Sequence, residues 1–363
     1  MHGFAASTPT VRTVSTACMI SFRLGRGDGV SVEAAKWAAA LRTLGWNVRT
    51  VAGSGPVDVL LPGLAIDATA PPTRREVEDA CASADLVVVE NLCSLPLNPP
   101  AAAVVAEVCA GRPAVFHHHD LPWQRPHLSH LAPPPDDPAW AHVTINDLSR
   151  IELAERGIAA TTIYNTFDPD PAPGDRARTR AALGVDDDDV LLLQPTRALE
   201  RKNVAGALEL SASVGGTYWL LGPAEDGYGP TLDLLVSLAR CPVLLGPTAD
   251  GCSIADAYAA CDAVLLPSFW EGFGNPSVES ATYRRALAIG SYPVAAELAS
   301  FGFRWFGALD PTPFAGWLRQ PEEELLDHNH GVAATHFNLA DLPERLAPVL
   351  RRAGSRGKGL TSR

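Results

Sequence analysis

The sequence predicts an α/β protein built from two halves, each with a parallel sheet. Short apolar runs alternate along the chain with amphipathic helical stretches, which is the pattern of repeated βαβ units. The stretch DPDPAPGDRART, from Asp168, is rich in proline, acid and glycine, as linkers are, and the alternation restarts after it. A length of 363 residues also exceeds what one hydrophobic core usually organises. We therefore expect a functional cleft between two α/β halves, at the carboxyl ends of their strands.

The individual elements follow from apolar runs bounded by turn residues. The first strand is predicted from Val14 to Phe22, and a helix from Ser31 to Leu44 ends at Gly45. Later strands of the first half are predicted at Val48 to Val51, Leu86 to Val89, Ala114 to Phe116, Val143 to Ile145 and Thr162 to Tyr164. Those of the second half are predicted at Val190 to Leu193, Tyr218 to Leu221, Val243 to Leu245 and Val264 to Leu266. The expected domains cover residues 1–168 and 169–340, with the first dozen residues as a loose arm.

The composition favours a globular enzyme and argues against several other classes of protein. Hydrophobic residues make up 47% of the chain, as in a globular enzyme, and the net charge of −12 argues against a broad surface for nucleic acid or anionic membranes. The seven cysteines include no Cys-x-x-Cys pair, which disfavours a disulfide framework and a zinc ribbon. No apolar run is long enough for a membrane span, and the start lacks the order of a signal peptide. We therefore expect a cytoplasmic protein, with a peripheral place at the membrane as an alternative.

Two glutamates flank a glycine-rich turn in the stretch PSFWEGFGNPSVESATYRRALAIG, residues 267–290. An apolar strand-like run stops just before it, which places Glu271 in a loop. Asn275 is a favourable N-cap and Pro276 suits the first helical position, so Glu279 lies in the first turns of a helix. Free amides at that helix start would attract a phosphate lying between the two acids. A ligand with both phosphate and hydroxyl groups fits this arrangement.

A second glycine-rich turn follows the first predicted strand. Gly27, Asp28 and Gly29 lie between that strand and the next helix, but the dinucleotide fingerprint would require glycine where Val30 stands. The turn is no Walker loop either, since no Gly-Lys-Ser/Thr follows. It remains either a plain tight turn or a place where backbone amides contact an anion or a sugar.

Basic residues follow the first strand of the second half. Arg197 and Lys202 could clamp a diphosphate, the arginine with a forked guanidinium and the lysine as a point charge. The alternative is a solvated basic loop.

A histidine-rich segment follows a strand of the first half. His117, His118 and His119 precede Asp120, which invites a metal hydrolase reading. The H-x-H-x-D-H order of a dinuclear hydrolase fails, because its acid would fall on Leu121. The segment therefore does not match the dinuclear motif, and a metal hydrolase remains an alternative.

Taken together, these motifs resemble those of retaining nucleotide-sugar glycosyltransferases of the GT-B fold, family four. The resemblance rests on motifs in the family's order over residues 20–290: Gly27 to Ser31, Ile163 to Asp168, Arg197 with Lys202-Asn203, Asp262 to Ser268, and Glu271-Gly272-Phe273-Gly274 with Glu279. The Glu-x7-Glu element is the most specific of them. The resemblance implies two Rossmann-like domains that face each other across a cleft. Residues 341–363 resemble the family's C-terminal helix, which returns toward the first domain, with a basic tail.

The resemblance also implies roles for individual residues. Arg197 and Lys202 would contact the donor diphosphate, and Glu271 the donor sugar. Other donor contacts are implied for Gly27, Asp28, Gly29, Phe273, Gly274, Asn275, Ser277 and Glu279, of which Glu279 would hold the ribose hydroxyls. His118 would lie under the sugar ring, with His119 as the alternative register. Acceptor contacts are expected from Glu90, Asn91, His119, Asp120, Trp123, Gln124 and Arg125.

The implied function is transfer of a hexose from a UDP-, GDP- or ADP-sugar to an acceptor hydroxyl, with retention of configuration. No cofactor is expected, because the nucleotide sugar is a co-substrate. No essential metal is expected, because the Asp-x-Asp motif of the other transferase fold is not evident in a fitting context. The partners would be this donor and a small-molecule, glycan or lipid-linked acceptor, without nucleic acid. Three alternatives stay open. They are an epimerase or phosphorylase of the same fold, a non-catalytic subunit that binds sugar nucleotides, and a metal hydrolase that uses the histidine-rich segment.

Overall fold

The computed structural model describes residues 15–360, which form two compact units. Within these residues, the first unit comprises 15–143 with 343–360, and the second comprises 144–342. Two of the predictions, the loose N-terminal arm and the strand start at Val14, fall outside the described residues. No described helix combines the length and the apolar character that crossing a membrane requires.

The first unit is a doubly wound α/β unit. Its strands are β1 (Thr16–Arg23), β2 (Asn47–Ser54), β3 (Val59–Leu60), β4 (Leu86–Glu90), β5 (Ala114–His118) and β6 (Trp140–Thr144). Its helices are α1 (Gly29–Thr43), α2 (Arg74–Cys81) and α3 (Pro99–Cys109), and the C-terminal α13 (Leu342–Leu360) belongs to it from residue 343 onward. The strand order is β3-β2-β1-β4-β5-β6, and the pairings from β3 to β5 are parallel. The carboxyl ends of β1, β4 and β5 therefore share one edge of the sheet.

The second unit repeats this construction. Its strands are β7 (Ala160–Thr162), β8 (Leu191–Gln194), β9 (Thr217–Leu220), β10 (Val243–Leu245), β11 (Ala263–Leu266), β12 (Ala286–Ile289) and β13 (Phe306–Gly307). Its helices are α4 (Asp147–Ala154), α5 (Arg176–Leu183), α6 (Val204–Val214), α7 (Gly229–Ser237), α8 (Ile254–Ala260), α9 (Pro276–Thr282), α10 (Pro293–Ala299), α11 (Pro311–Arg319) and α12 (Glu323–His336). Six strands form a parallel sheet in the order β10-β9-β8-β11-β12-β13. Both faces of its central strands are buried, which explains why β8 and β11 read as continuous apolar runs.

Most predicted elements agree with the structure to within a few residues. β4 and β11 contain the predicted runs, and β8 begins and ends one residue later than predicted. β1 ends one residue later than predicted, whereas β6 and β7 begin two or three residues earlier. β3, β12 and β13 were not predicted. β3 and β13 are only two residues long, and β12 lies in the sequence ALAI, which suits a helix as well as a strand.

The boundary between the units falls at residue 143, earlier than the predicted linker at 168. The side chain of Asn146 donates to the carbonyl of Gly272. Glu297 accepts hydrogen bonds from the first two amides of α4 and from the hydroxyl of Tyr164. These contacts fasten α4 to the second unit. The linker itself is held at Phe167, which exchanges two backbone hydrogen bonds with residues 337 and 339.

Candidate functional site

A buried group of charges lies beyond the carboxyl ends of β8 and β11. Lys202 Nζ is 2.5 Å from Glu271 Oε1, and Arg201 Nη1 is 2.8 Å from Glu271 Oε2. The hydroxyl of Ser268 donates to Glu271 Oε1 at 2.6 Å. Lys202 and Glu271 are both more than nine-tenths buried. We call Arg201, Lys202, Ser268 and Glu271 the charged cluster.

Burial and pairing oppose each other in the charged cluster. Burial lowers the pKa of Lys202 to about 8, although Glu271 counteracts this effect, so the ammonium is still mostly protonated at neutral pH. Burial alone would raise the pKa of Glu271, but the charges of Lys202 and Arg201 outweigh it and lower that pKa. The cluster therefore holds two cations and one anion, and its net positive charge is suited to an anionic ligand.

The second glutamate lies on α9, one element further along. Tyr258 donates its hydroxyl to Glu279 Oε2 at 3.0 Å, and the Tyr258 ring stacks on Tyr283 at 4.5 Å. Burial raises the pKa of Tyr258, so its hydroxyl stays protonated as a donor. The sequence placed Glu279 correctly on the helix, but it did not indicate the tyrosine that orients the carboxylate.

The turn between the two glutamates differs in detail from the sequence prediction. Pro276 is the first residue of α9 as expected, but Asn275 has helical dihedrals and makes no side-chain cap. Its Oδ1 instead accepts from Asn165 at 2.9 Å. The amides of residues 277–279 donate to the carbonyls of Gly274 and Asn275, so the prediction that they are free is wrong. This helix start therefore offers fewer unpaired amides to a phosphate than expected.

Gly274 is required by the shape of the turn. Its φ is +85°, and an added Cβ would lie 2.7 Å from the Tyr292 hydroxyl and 3.4 Å from Glu271 Cγ. Phe273 points the other way and packs in the core near Phe337. Only the backbone of Phe273 is thus available to a ligand. Ser277 is fully buried, and its hydroxyl lacks a hydrogen-bond partner.

Arg197 lies outside the charged cluster in this structure. Its guanidinium pairs with Glu225 at 2.5 Å, with both side chains about one-third exposed. The positive charge of Arg197 nevertheless contributes to the lowered pKa of Lys202. The sequence did not single out Arg201, because adjacent basic residues in one short loop cannot be told apart without their partners.

In the first unit, β5 ends at His118, and His119 follows it directly. His118 and its two neighbours point to opposite sides, as strand alternation requires. His118 is buried, with Ser94 Oγ 2.7 Å from Nδ1 and His142 Nδ1 2.9 Å from Nε2. His142 Nε2 lies 3.0 Å from a carboxylate oxygen of Asp136, which only accepts. His142 therefore accepts from His118, which in turn accepts from Ser94. Both ring nitrogens of His118 are engaged within the fold.

His117 and His119 lie on the opposite face, around Glu90. Glu90 Oε2 is 2.8 Å from His117 Nδ1 and 3.1 Å from His119 Nε2. Burial alone would raise the pKa of Glu90, but the two histidines lower it to about 2. Glu90, His117 and His119 also form the cluster of potential metal ligands found among the described residues.

The sequence and structure comparisons identify the protein's class. No protein-family model matches the chain. It is 24% identical over 427 aligned positions to mannosylglucosylglycerate synthase of Petrotoga mobilis, across 94% of this chain and 97% of that protein. It is 32% identical over 223 positions to D-inositol 3-phosphate glycosyltransferase of Rhodococcus erythropolis, across 57% of this chain and 44% of that protein. Among solved structures, Anabaena HepE in complex with UDP-glucose matches with a TM-score of 0.70 at 19% identity, over 93% of this chain and 99% of that chain. The chain is a glycosyltransferase of the GT-B fold.

The N-terminal glycine turn of the glycosyltransferase leads from β1 into α1. Asp28 caps α1 by accepting from the amide and hydroxyl of Ser31, and it pairs with Arg23 at 3.1 Å. Added Cβ atoms at Gly27 and Gly29 would meet open space. Gly25 is the residue of this turn at which only glycine fits, because its φ is +70° and an added Cβ would lie 2.7 Å from Pro56.

The remaining first-unit residues of the glycosyltransferase lie after β4 and β5. Asn91 has φ 56°, and its side chain accepts from the amides of His119 and Asp120. Arg125 pairs with Asp120 at 2.7 Å. Gln124 accepts from a neighbouring backbone amide, and Trp123 is half-buried beside it. The predicted acceptor residues therefore occupy one edge of the first unit.

The buried His118 gives a testable pH dependence. Burial holds the pKa of His118 well below its usual value, so the folded protein does not bind the proton that the unfolded chain binds below about pH 6.5. The free energy of unfolding is therefore highest above that pH. It falls by about 1.4 kcal/mol per pH unit for one histidine as the pH drops from there toward the pKa of the folded state. We expect His118→Gln to reduce this slope in urea unfolding between about pH 7 and pH 5. An unchanged slope would show that His118 is protonated in the folded state.

Proposed function

We propose that this glycosyltransferase transfers a hexose from a nucleoside-diphosphate sugar to an acceptor hydroxyl. The charged cluster carries the proposal. Its net positive charge lies beyond the strand ends of the second unit, and Glu279 lies on α9, the helix that follows β11. The unit thus offers cations for a diphosphate and a carboxylate for ribose hydroxyls. Arg197 would contribute a further cation after leaving Glu225.

The donor and acceptor classes are supported by the comparisons. HepE has been solved with UDP-glucose, which makes UDP-glucose the first donor to test. The names of the relatives refer to a glycerate glycoside and to an inositol phosphate, which are polyols that carry an acidic group. We place the acceptor at the first unit's edge, formed by Glu90, Asn91, His119, Asp120, Trp123, Gln124 and Arg125.

Among the histidines of that segment, we propose that His119 contacts the substrate. Both ring nitrogens of His118 bind Ser94 and His142, so a substrate contact would require breaking a buried network. His119 commits only its Nε2, to Glu90. We therefore propose the second of the two registers that the sequence left open.

We propose retention of configuration without a metal. Both oxygens of Glu271 already accept hydrogen bonds, from Lys202, Ser268 and Arg201, so this carboxylate is poorly placed to act as a nucleophile. The acceptor would then attack from the side of the leaving diphosphate, one of whose oxygens takes the proton. Lys202 and Arg201 supply the positive charge that a metal would otherwise supply to the leaving group. Retention is checked from the anomeric configuration of the product by NMR, and metal independence from turnover in excess chelator.

The location of the enzyme is part of the proposal. All seven cysteines are free thiols, which supports a reducing compartment such as the cytoplasm.

A panel of nucleotides tests the donor class directly. A ligand present at about 100 times its Kd stabilises the native state by about 2.7 kcal/mol, which raises the melting temperature. We expect one of UDP, GDP and ADP, with its sugar conjugates, to raise the melting temperature, and the free nucleosides to have little effect. A panel in which none of the diphosphates stabilises the protein would contradict the proposal. The positive donor is then combined with an acceptor series, beginning with glycerate glycosides and inositol phosphates.

A further inference from the structure

One buried carboxylate fixes the ring of His119. An ionised carboxylate only accepts hydrogen bonds, so the Glu90 contacts require a proton on His117 Nδ1 and on His119 Nε2. Neutral His119 is therefore held in one tautomer, with Nδ1 as its hydrogen-bond acceptor.

The backbone of His119 is fixed from the same strand end. Asn91, which follows Glu90 directly, accepts from the amide of His119 at 3.0 Å and from that of Asp120 at 3.2 Å. The Asn91 amide donates to the carbonyl of His117 at 2.9 Å. Its φ of 56° is unusual for a residue other than glycine, and such conformations persist where the surrounding structure holds them, often at functional sites.

His117 anchors the carboxylate from the other side. Its ring is fully buried and stacks on Trp37 at a centroid distance of 3.9 Å. Its Nδ1 donates to Glu90 Oε2 at 2.8 Å. Trp37 and His117 thus hold Glu90 in place, and His119 is the partner of Glu90 that lies toward the edge.

We infer that Glu90 is a positioning residue for His119, which it holds with Nδ1 directed to accept a hydrogen bond from a hydroxyl group of the acceptor substrate. This inference rests on the proposed function and deepens it, because it assigns the acceptor contact to one ring nitrogen. The arrangement is preorganised: the ring, the backbone and the tautomer of His119 are all set before substrate arrives.

The same three side chains could instead bind a divalent metal ion. The separations of 2.8 and 3.1 Å are ordinary hydrogen-bond lengths, which favours the hydrogen-bonded form.

The tautomer is tested by NMR of the full chain with ¹⁵N-labelled histidine, assigned with His117→Ala and His119→Ala. We expect His119 of the native protein to carry its proton on Nε2, and Glu90→Gln to remove this preference, because an amide can donate as well as accept. A proton on Nδ1 of His119 in the native protein would overturn the inference. So would stoichiometric binding of Zn²⁺ or Co²⁺ that Glu90→Gln abolishes. Neither readout depends on turnover.

Kinetic measurements then distinguish a positioning role of Glu90 from a purely structural role in the fold. We expect Glu90→Gln to lower kcat for glycosyl transfer by roughly 10- to 100-fold and to leave nucleoside-diphosphate affinity unchanged. In the His119→Ala background the same change should add about twofold or less, because its effect passes through His119. Ser94→Ala, which removes the partner of His118 on the other face of β5, serves as the matched control and should not show this coupling.

Equal losses from Glu90→Gln with and without His119 would overturn the positioning role. If Glu90→Gln fails to fold, the NMR assignment of the native protein decides the matter alone. A correct tautomer in a protein that transfers sugar to no acceptor would support the arrangement of His119 and reject the proposed function instead.

Discussion

Lys202→Ala is expected to weaken binding of a nucleoside diphosphate by roughly 10- to 100-fold. The Lys202 ammonium is buried and protonated, and a charge-assisted hydrogen bond to phosphate contributes about 1.5–3 kcal/mol. Binding of the corresponding nucleoside, which lacks phosphates, should barely change. Calorimetric titration of both ligands measures the difference.

A matched control separates this effect from a general loss of positive charge. Arg178→Ala removes one exposed cation from the same unit, where Arg178 pairs with the buried Asp256 at 3.2 Å. Because Arg178 is not part of the charged cluster, this variant should bind both ligands as the wild type does. If Lys202→Ala weakened nucleoside and diphosphate equally, the loop would have collapsed, and the assignment of Lys202 to the diphosphate would lose its support.

Lys202→Ala is also expected to lower the free energy of unfolding, because Glu271 loses one of its partners. Removing one member of a buried ion pair typically costs about 3–5 kcal/mol, because the other charge is left uncompensated. Arg201 and Ser268 stay on Glu271, so we expect the lower part of that range. This loss must be measured by urea unfolding before binding data are interpreted.

The fold was predictable from sequence because parallel strands that are buried on both faces appear as apolar runs. β8 and β11 were found for this reason. β3 and β13 were missed, because two residues carry no periodicity. The early domain boundary was also missed, since it depends on contacts of Asn146 and Glu297 that join residues more than a hundred positions apart.

The candidate site was predictable only where a motif has a fixed spacing. Glu271 and Glu279 come from such a motif, and so does Lys202. Arg201, Ser268 and Tyr258 became visible as partners only in three dimensions, because serine, tyrosine and a second basic residue are common everywhere in sequences. The three histidines could also be assigned only in part from the sequence. Strand alternation predicts that His118 lies on a different face from its two neighbours. Which of these faces can contact a substrate depends on the positions of Ser94 and Glu90, which the sequence does not give.

The two glutamates should have separable effects on catalysis. Glu279 is oriented by Tyr258, and contacts to ribose hydroxyls would exist alike in the donor complex, the transition state and the product complex. Loss of such uniform binding raises KM without lowering kcat. We therefore expect Glu279→Ala to raise the donor KM and to weaken the free nucleoside diphosphate, each by roughly 10-fold or more, with kcat little changed.

Glu271 is expected to act mainly on kcat, by about 100-fold, because it fixes Lys202 and Arg201 against the group whose charge develops in the transition state. Glu271→Gln is the suitable variant, since it keeps the shape of the side chain and an acceptor for Ser268 while it removes the charge. With that charge gone, Lys202 and Arg201 lose their internal partner, so affinity for the sugar-free diphosphate should be unchanged or increased. Steady-state kinetics beside calorimetry, on variants that melt near wild type, provides the comparison. Diphosphate affinity lost in Glu271→Gln and kept in Glu279→Ala would reverse the two roles, and full activity in both would remove the pair from the site.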